Sequence, residues 1–513
     1  MKKLVITTLV CAMGMATVAA CSGGVKDQPS SPSDSTDNAS ANKTLTFLNY
    51  SNPSWPYSKD WPIWNFLKKE TGISLDIQTP SGGKLEEALS LAIASGTLPD
   101  LLWTQNKSLA NKYGQQGALA NVLDYVDEMP NFKKWLDQHP AVAQRTIASD
   151  GKMYTLPNQG IGETNRMIWM YREDIFKKHG LKQPATWDEL YATLKQLKEL
   201  YPNSYPLTFR YGLNYLQNLG ASFNTVATLG TDPSVYYDTS SKQWKYGPTE
   251  DNFKKMIEYL NRFYKEKLLP PDFLTVDTKI WQDMMSTNRA FVTLDYIGRI
   301  DFFNSALRKE NPEFNLLFMT PPAGWSGGPQ KNAFTQTAEE GFMISSKTKN
   351  KKEVAKFLDF FYTEKGRTLV SWGVEGETYK VENGKKAFIG DVKDVSDLRK
   401  KTGLSTDGTY IWFDYDAHIS LASPELKQAY ELAPKYDSEQ QPKPAFTSAE
   451  IETLSTIGDA LVKSRDENLS KFIIGERSLS EWDKYAEEQN KLGIDKIVAI
   501  YKTAFERMQK AAK

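Results

Sequence analysis

Cysteine is nearly absent: the 513 residues hold two, Cys11 and Cys21. Cys11 lies in an apolar leader, and its removal leaves a single thiol. That excludes a disulfide framework, a cysteine-ligated zinc and thiol catalysis in the folded part. Histidine is almost as scarce, with His139, His179 and His418 far apart and in no metal-ligand spacing. Neither sign of charge is in surplus, 63 Lys and Arg against 63 Asp and Glu, so no global field draws the chain to nucleic acid or to an anionic surface. Also missing are His-Glu-x-x-His, a Walker loop, Gly-x-Ser-x-Gly, a calcium-loop pattern and any repeat at fixed period. Gly82-Gly83-Lys84 is a turn opening a helix, not a phosphate cradle. Carboxylate pairs such as Glu339-Glu340 and Asp414/Asp416 occur, and a retaining glycosidase needs two carboxyls ~5 Å apart. Among 63 acidic residues such pairs arise by chance. The expectation is a chain with no catalytic residue, no metal and no cofactor.

The one long hydrophobic run is at the N-terminus. Met1-Lys2-Lys3, an apolar stretch from Leu4 to Ala20 and small residues before Cys21 describe a secretory signal, too short and interrupted for a stable membrane span. Val18-Ala19-Ala20-Cys21 resembles the lipobox of bacterial lipoproteins, which implies cleavage after residue 20 and acylation, palmitate included, of Cys21. Ordinary secretion with a cysteine near the cut is the alternative. Residues 21–43, rich in Ser, Asp, Gly, Pro and Asn, bury too little to order, and are expected to be a flexible tether. This places the folded part on the outer face of the cell membrane, as in a Gram-positive lipoprotein rather than free in a periplasm.

From Thr44 the pattern alternates. Leu45 and Phe47 predict a strand, Trp61 to Leu67 a helix stopped by Gly72, and Ile73, Leu75 and Ile77 a second strand. Leu85, Ala88, Leu89, Ala92 and Ile93 share one helical face, and Asp100-Leu101-Leu102-Trp103 gives a third strand. This is β-α-β-α-β, a parallel sheet flanked by helices. The central stretch, Asp150 to Asp174, predicts two extended segments around a glycine-bearing polar turn, the second a strand buried on both faces. After it, Thr186-Trp187-Asp188-Glu189 predicts a capping box, Tyr236 to Tyr246 a hairpin, Phe253 to Tyr264 a helical stripe, and Ala290–Tyr296 and Phe314–Met319 further strands. The stretch 150–174 is expected to cross between two α/β lobes. Pro321–Pro329 and Gly341–Ile344 are taken as the second and third passages. The expected division is 44–163 with 322–365 in one lobe and 164–321 with 366–513 in the other.

What is abundant is aromatic, with 13 Trp and 25 Tyr. Trp55, Trp103, Tyr296 and Trp372 stand just after predicted strands or at element ends, where open sheets bind ligands and where flat rings suit sugars. Ala94-Ser95-Gly96-Thr97-Leu98-Pro99-Asp100, Gln116-Gly117-Ala118-Leu119, Gly151 to Pro157, Tyr171 to Asp174, Gly373 to Tyr379 and Phe472-Ile473-Ile474-Gly475 together carry a resemblance. By them the chain resembles the extracellular solute-binding lipoproteins of bacterial carbohydrate ABC importers, family 1, in the maltose-binding-protein-like class and its large oligosaccharide-binding subgroup.

The resemblance implies a type II fold of two α/β lobes, each a mostly parallel sheet flanked by helices, joined by three hinge crossings. It implies a monomer that closes on an oligosaccharide and docks on a permease pair driven by an ATPase. It carries ligand contacts onto Trp103, Thr104, Asn165, Arg166, Tyr211, Tyr215, Asp295, Tyr296 and Arg299, while Trp372 and Glu375 rest on the subgroup motif alone. Arg166, Arg210 and Arg299 are candidates to receive uronate carboxylates. Where some members carry a calcium loop, Glu199 to Pro206 offers too few oxygen ligands. A secreted glycoside hydrolase or lyase, and a binding protein for another solute such as a peptide, remain the alternatives.

Overall fold

The structure, a computed structural model, describes residues 43–80, 84–226, 233–335 and 338–511. The leader, Cys21, Gly82-Gly83 and the expected tether up to residue 42 lie outside the described residues.

Strand β1 (Lys43–Leu48) turns Leu45 and Phe47 inward. The helix Pro62–Thr71 then buries Ile63, Phe66 and Leu67 and stops at Gly72, whose left-handed φ of 72° lets its N–H bond Lys68 O. Strand β2 (Ile73–Gln78), the helix Leu85–Ser95 and β3 (Leu101–Trp103) complete the expected unit. β1 lies between β2 and β3 and is parallel to both, with Lys43 opposite Ile73 and Phe47 opposite Leu101.

The chain passes through a two-residue strand, β4 (Asn158–Gln159), into β5 (Met167–Arg172). Alternate β5 residues serve opposite faces: Trp169 and Tyr171 join one core cluster, Ile168 and Met170 another. That is why its sequence is apolar without alternation. Next come β6 (Leu207–Thr208), the hairpin β7 (Val235–Asp238) and β8 (Gln243–Tyr246), β9 (Val292–Tyr296) and β10 (Leu316–Met319). β11 (Ala338–Glu339) and β12 (Phe342–Ile344) return, and β13 (Tyr379–Glu382) with β14 (Lys385–Phe388) form a small hairpin.

Two four-stranded sheets result, ordered β12-β3-β1-β2 and β10-β5-β9-β6. In each, three strands share a direction and the fourth opposes its neighbours. The opposing strand is the one arriving from the other core: β12 beside β3, and β5 between β9 and β10. The first sheet carries one core, including Phe47, Trp103, Phe342 and Phe361. The second is covered on one face by Trp187, Phe263, Phe472 and Trp482, and on the other by Trp281, Phe303 and Leu426.

Several expectations shift. The segment Gly151–Pro157 forms no ladder, and Glu173-Asp174 opens the helix Glu173–His179 instead of ending the strand. Carboxylates suit that first turn. At the predicted capping box Thr186 Oγ1 accepts from Glu189 N, but the Glu189 carboxylate reaches Ala185 N, at 2.8 Å, not Thr186. Gly341–Ile344 is not a passage: its apolar run is β12, inside the first core. The chain leaves that core after Leu156, returns at Phe342, and after Phe413 still packs Tyr415 and Leu421 on it before reaching the second at Ala422. The third crossing therefore falls at 421–422, just after the helix Tyr415–Ser420, in a stretch that lacks the Pro and Gly that flagged the others. Residues 366–413, expected with the second lobe, send Leu369, Val370, Leu398, Leu404 and Ile411 into the first core. An amphipathic stripe states that a face is buried and leaves open against which sheet.

Candidate functional site

The first two passages meet in one short ladder, joined by residues 411–413 of the first core. β11 pairs antiparallel with β4, Ala338 opposite Gln159 and Glu339 opposite Asn158. On the other side of β4, Gln159 N donates to Ile411 O at 2.7 Å and Phe413 N donates to Gln159 O at 3.2 Å. A ladder this short has few bonds to bend, which suits a hinge. Close approach dictates glycine here: a Cβ on Gly160, at φ 139°, would lie 2.2 Å from the Phe413 ring, and one on Gly341 would strike the Asn158 side chain.

Beside this ladder, between the two cores, lies a cavity of about 250 Å³. Gln105, just beyond β3, comes from the first core; Met167, Asn218 and Tyr296 come from the second; Asn165, Phe334, Thr335 and Glu339 come from the passages. Glu339 accepts a hydrogen bond from Gln105 Nε2 at 3.1 Å. Burial, then the charges of Asp407 and Glu340, push its carboxyl up to about 7, against a partial pull from Lys443 and Arg145.

The second wall is built on Asp295, at the end of β9 and fully buried. Its carboxylate accepts from Arg210 Nε and Nη2 at 2.5 and 2.7 Å, from Tyr215 Oη at 2.7 Å, from Arg299 Nε at 3.2 Å and from the Tyr296 amide at 2.8 Å. The Arg210 guanidinium also donates to Tyr211 Oη and lies over the rings of Tyr211 and Tyr296, 4.4 and 5.7 Å from their centroids. These two tyrosines remain 50 % and 39 % exposed. Tyr211 is held at φ 69°, a left-handed conformation that costs a bulky residue about 1–3 kcal/mol and persists where surroundings impose it.

The first wall is different. Tyr50 stacks on Trp103, centroids 6.2 Å apart, and the Arg399 guanidinium lies 4.5 Å over Trp55. Behind them are buried polar groups. Asn49 Nδ2 donates to Asp407 O at 3.1 Å, while Asn49 Oδ1, Asp407 Oδ1 and Arg399 Nη2 have no partner among the described residues. Burial pushes the Asp407 carboxyl up to about 6, with Arg399 opposing. Burial, then the charges of Asp407 and Tyr211, raise the Tyr50 hydroxyl above its ordinary value.

Of the residues expected from sequence, Asn165 and Tyr296 line the cavity itself. Tyr211 is exposed beside Tyr296, over the same guanidinium. Trp103 and Thr104 are buried at the end of β3, the latter donating its amide to Gly341 O at 3.0 Å. Tyr215 and Asp295 lie beneath the tyrosines as supports, and Arg299 is fixed to Asp295. Arg166 is paired with Asp437, and Arg210 is paired with Asp295, so neither guanidinium stands free for a uronate. Trp372 is buried, donating Nε1 to Asp414 at 2.9 Å and stacking on Phe388. Glu375 is exposed next to the β13–β14 hairpin and does not line the cavity. Sequence reasoning missed Gln105, Asn218, Phe334 and the placement of Glu339. Gln105 follows the predicted strand β3, but nothing local marks which loop residue turns inward, and Asn218 lies in the short helix Leu216–Leu219, which no pattern announced. Among the described residues no group of three or more His, Cys, Asp or Glu is arranged to hold a metal.

A family profile described as bacterial extracellular solute-binding protein matches residues 53–368. The chain is 24 % identical over 542 residues to the fructooligosaccharide ABC transporter substrate-binding protein FusA of Streptococcus pneumoniae serotype 4, covering 96 % of each. It is 24 % identical over 456 residues to the polygalacturonan/rhamnogalacturonan-binding protein YtcQ of Bacillus subtilis, covering 86 % of this chain and 87 % of that one. Among solved structures it is similar to the alginate-binding protein AlgQ2 without calcium ion, with TM-score 0.76 and 24 % identity over 91 % of this chain and 98 % of the other.

Proposed function

The chain belongs to the bacterial extracellular solute-binding protein family, and from that premise we propose that it is the oligosaccharide receptor of an ABC importer. As a solute-binding protein it is a receptor and not an enzyme, which sets the hydrolase and lyase readings aside. The observation that carries the sugar reading is the cavity between the cores, polar at Gln105, Asn165, Asn218 and Glu339 and bordered by exposed tyrosines on a fixed support. Hydroxyls bond the amides and the carboxylate while ring faces stack on Tyr211 and Tyr296. Relatives named for fructooligosaccharides and for pectic polysaccharides support the same class.

A ligand that touches both walls stabilises the closed state over the open one by its extra contacts, with the ladder of β4, β11 and 411–413 as the hinge. The closed monomer is then the form that docks on a permease pair. Cys21, outside the described residues, is the proposed acylation site, with 22–42 as tether, which holds the receptor on the outer face of the membrane. A Cys21→Ser chain released into the medium, against a detergent-partitioning wild type, tests the anchor.

The direct test is thermal unfolding against a panel of oligosaccharides. A ligand at 100 times its dissociation constant adds about 2.7 kcal/mol to stability. One glycan is expected to raise the midpoint and to be recovered intact. If peptides shift it and no sugar does, the solute class is wrong.

A further inference from the structure

Among the described residues that line the cavity, Glu339 carries the sole charge; the other polar groups there are amides and hydroxyls, Gln105, Asn165, Asn218, Thr335 and Tyr296. No Lys or Arg among the described residues lies within ion-pair distance of its carboxylate, whose hydrogen bond comes from a neutral amide, Gln105 Nε2 at 3.1 Å. The arginines nearest the second wall are engaged, and Arg399 on the first wall, whose Nη2 has no partner among the described residues, is buried behind Trp55. Arg210 spends both edges of its fork on Asp295, Arg166 is paired with Asp437, and Arg299 is tied by Nε to Asp295. At about 250 Å³ the cavity is smaller than a site that encloses a drug-sized ligand, so it takes the end of a chain and leaves the rest along Tyr211 and Tyr296.

Building on the receptor reading, we infer that the cleft selects uncharged oligosaccharides, and that Glu339 is the specificity-determining residue. Paired with Gln105, it accepts hydroxyl donors from a terminal ring and repels a carboxylate in the same place. A carboxylate is an acceptor only, so a neutral sugar's O–H groups satisfy it and a uronate's anion leaves two like charges facing each other away from bulk water. The groups that act on Glu339 are the carboxylates of Asp407 and Glu340 and the cations Lys443 and Arg145. Asp407 and Glu340 deepen the repulsion, and the cations act without an ion pair. Burial holds the Glu339 carboxyl up near 7, so its charge develops across the neutral range while a uronate stays ionised.

The test is calorimetric titration of the full chain with neutral and uronate oligosaccharides of matched length and linkage, from pH 5.5 to 8. The neutral compound is expected to bind at least tenfold tighter at pH 8, with the ratio shrinking towards pH 5.5. In Glu339→Gln the ratio is expected to fall to within a few fold and to lose its pH dependence, which loss of packing alone would not produce. A uronate that binds wild type as tightly as its neutral counterpart overturns the charge inference and leaves the receptor reading standing. So does a pH-independent ratio in wild type, which needs no variant to fold. Failure of every saccharide of either charge overturns the receptor reading itself.

Discussion

The two walls of the cleft are made of different materials. The wall on the first core buries its polar groups, Asn49, Arg399 and Asp407, behind Trp55, Trp103 and Tyr50. The wall on the second core buries a closed charge network, Asp295 with Arg210, Tyr215 and Arg299, and exposes the rings above it. On the second wall every Asp295 acceptor is used, so the network is a rigid support. On the first wall acceptors and donors are left over, so that side has polar capacity in reserve. A buried polar network is rigid when every member is satisfied, and each member left unpaired is costly.

Removing the second wall's anchor is expected to have the largest effect. Asp295→Ala leaves the buried Arg210 guanidinium uncompensated, at a cost of about 3–5 kcal/mol. Hydrogen exchange should show the loss in the sheet of β5, β6, β9 and β10 first; equal loss in both sheets would break the contrast.

The first wall is expected to respond to pH. The folded-state carboxyl of Asp407 is raised to about 6 from 3.8, so the folded protein holds a proton that the unfolded chain gives up. Its contribution to stability is full below about pH 4 and is lost as pH rises through 6, on the order of 1–3 kcal/mol. His418, fully buried without a described partner and held well below the usual imidazole range, works in the opposite direction, and its contribution is lost as pH falls below about 6.5. Asp407→Asn isolates the first effect. Its denaturation midpoint relative to wild type should climb between pH 4 and 6 and stay level above 7; a flat difference throughout would contradict the burial of that charge.

A smaller effect separates binding from stability on the second wall. Tyr211→Gly relieves the left-handed conformation and should raise stability by about 1 kcal/mol. It also removes a ring face, and sugar affinity should fall about tenfold. Both quantities moving in the same direction would mean that the ring serves the fold instead of the ligand.

The smallest effect concerns the element that ties the two sides. The helix Ser448–Ile474 starts beside the helix Lys107–Gln115, with Ser448 Oγ donating to Gln115 Oε1 at 2.6 Å, and ends in the second core with Leu469, Phe472 and Ile473. Its full capping box, Thr447 with Glu450, makes Thr447→Ala worth about 1 kcal/mol in unfolding. No change in the denaturation midpoint would show that this start is held by its neighbours and not by its cap.

Much of this was legible in the chain. The alternation of Leu45 and Phe47, the stripe Leu85 to Ile93 and the unbroken apolar run of β5 each depend on one segment's own periodicity, and each element formed where expected. The candidate site was legible only in part. Tyr296 and Asn165 line the cavity between the cores, while Asp295, Tyr215 and Trp372 are buried beneath the surface, since polar and aromatic residues at a strand end face either a cleft or the scaffold.

By itself the sequence determined several of the strands and helices, that the folded part has no thiol chemistry, and that α/β units are split by a crossing near Asp150–Asp174. These follow from local patterning and composition, which need no knowledge of neighbours. Only the tertiary structure decided that 366–413 packs on the first core, that the third crossing falls at 421–422, and that Arg166 and Arg210 are already paired. Those outcomes depend on which distant side chain comes within a few ångströms. Asp437 is 271 positions from Arg166, and no periodicity in the chain carries that information.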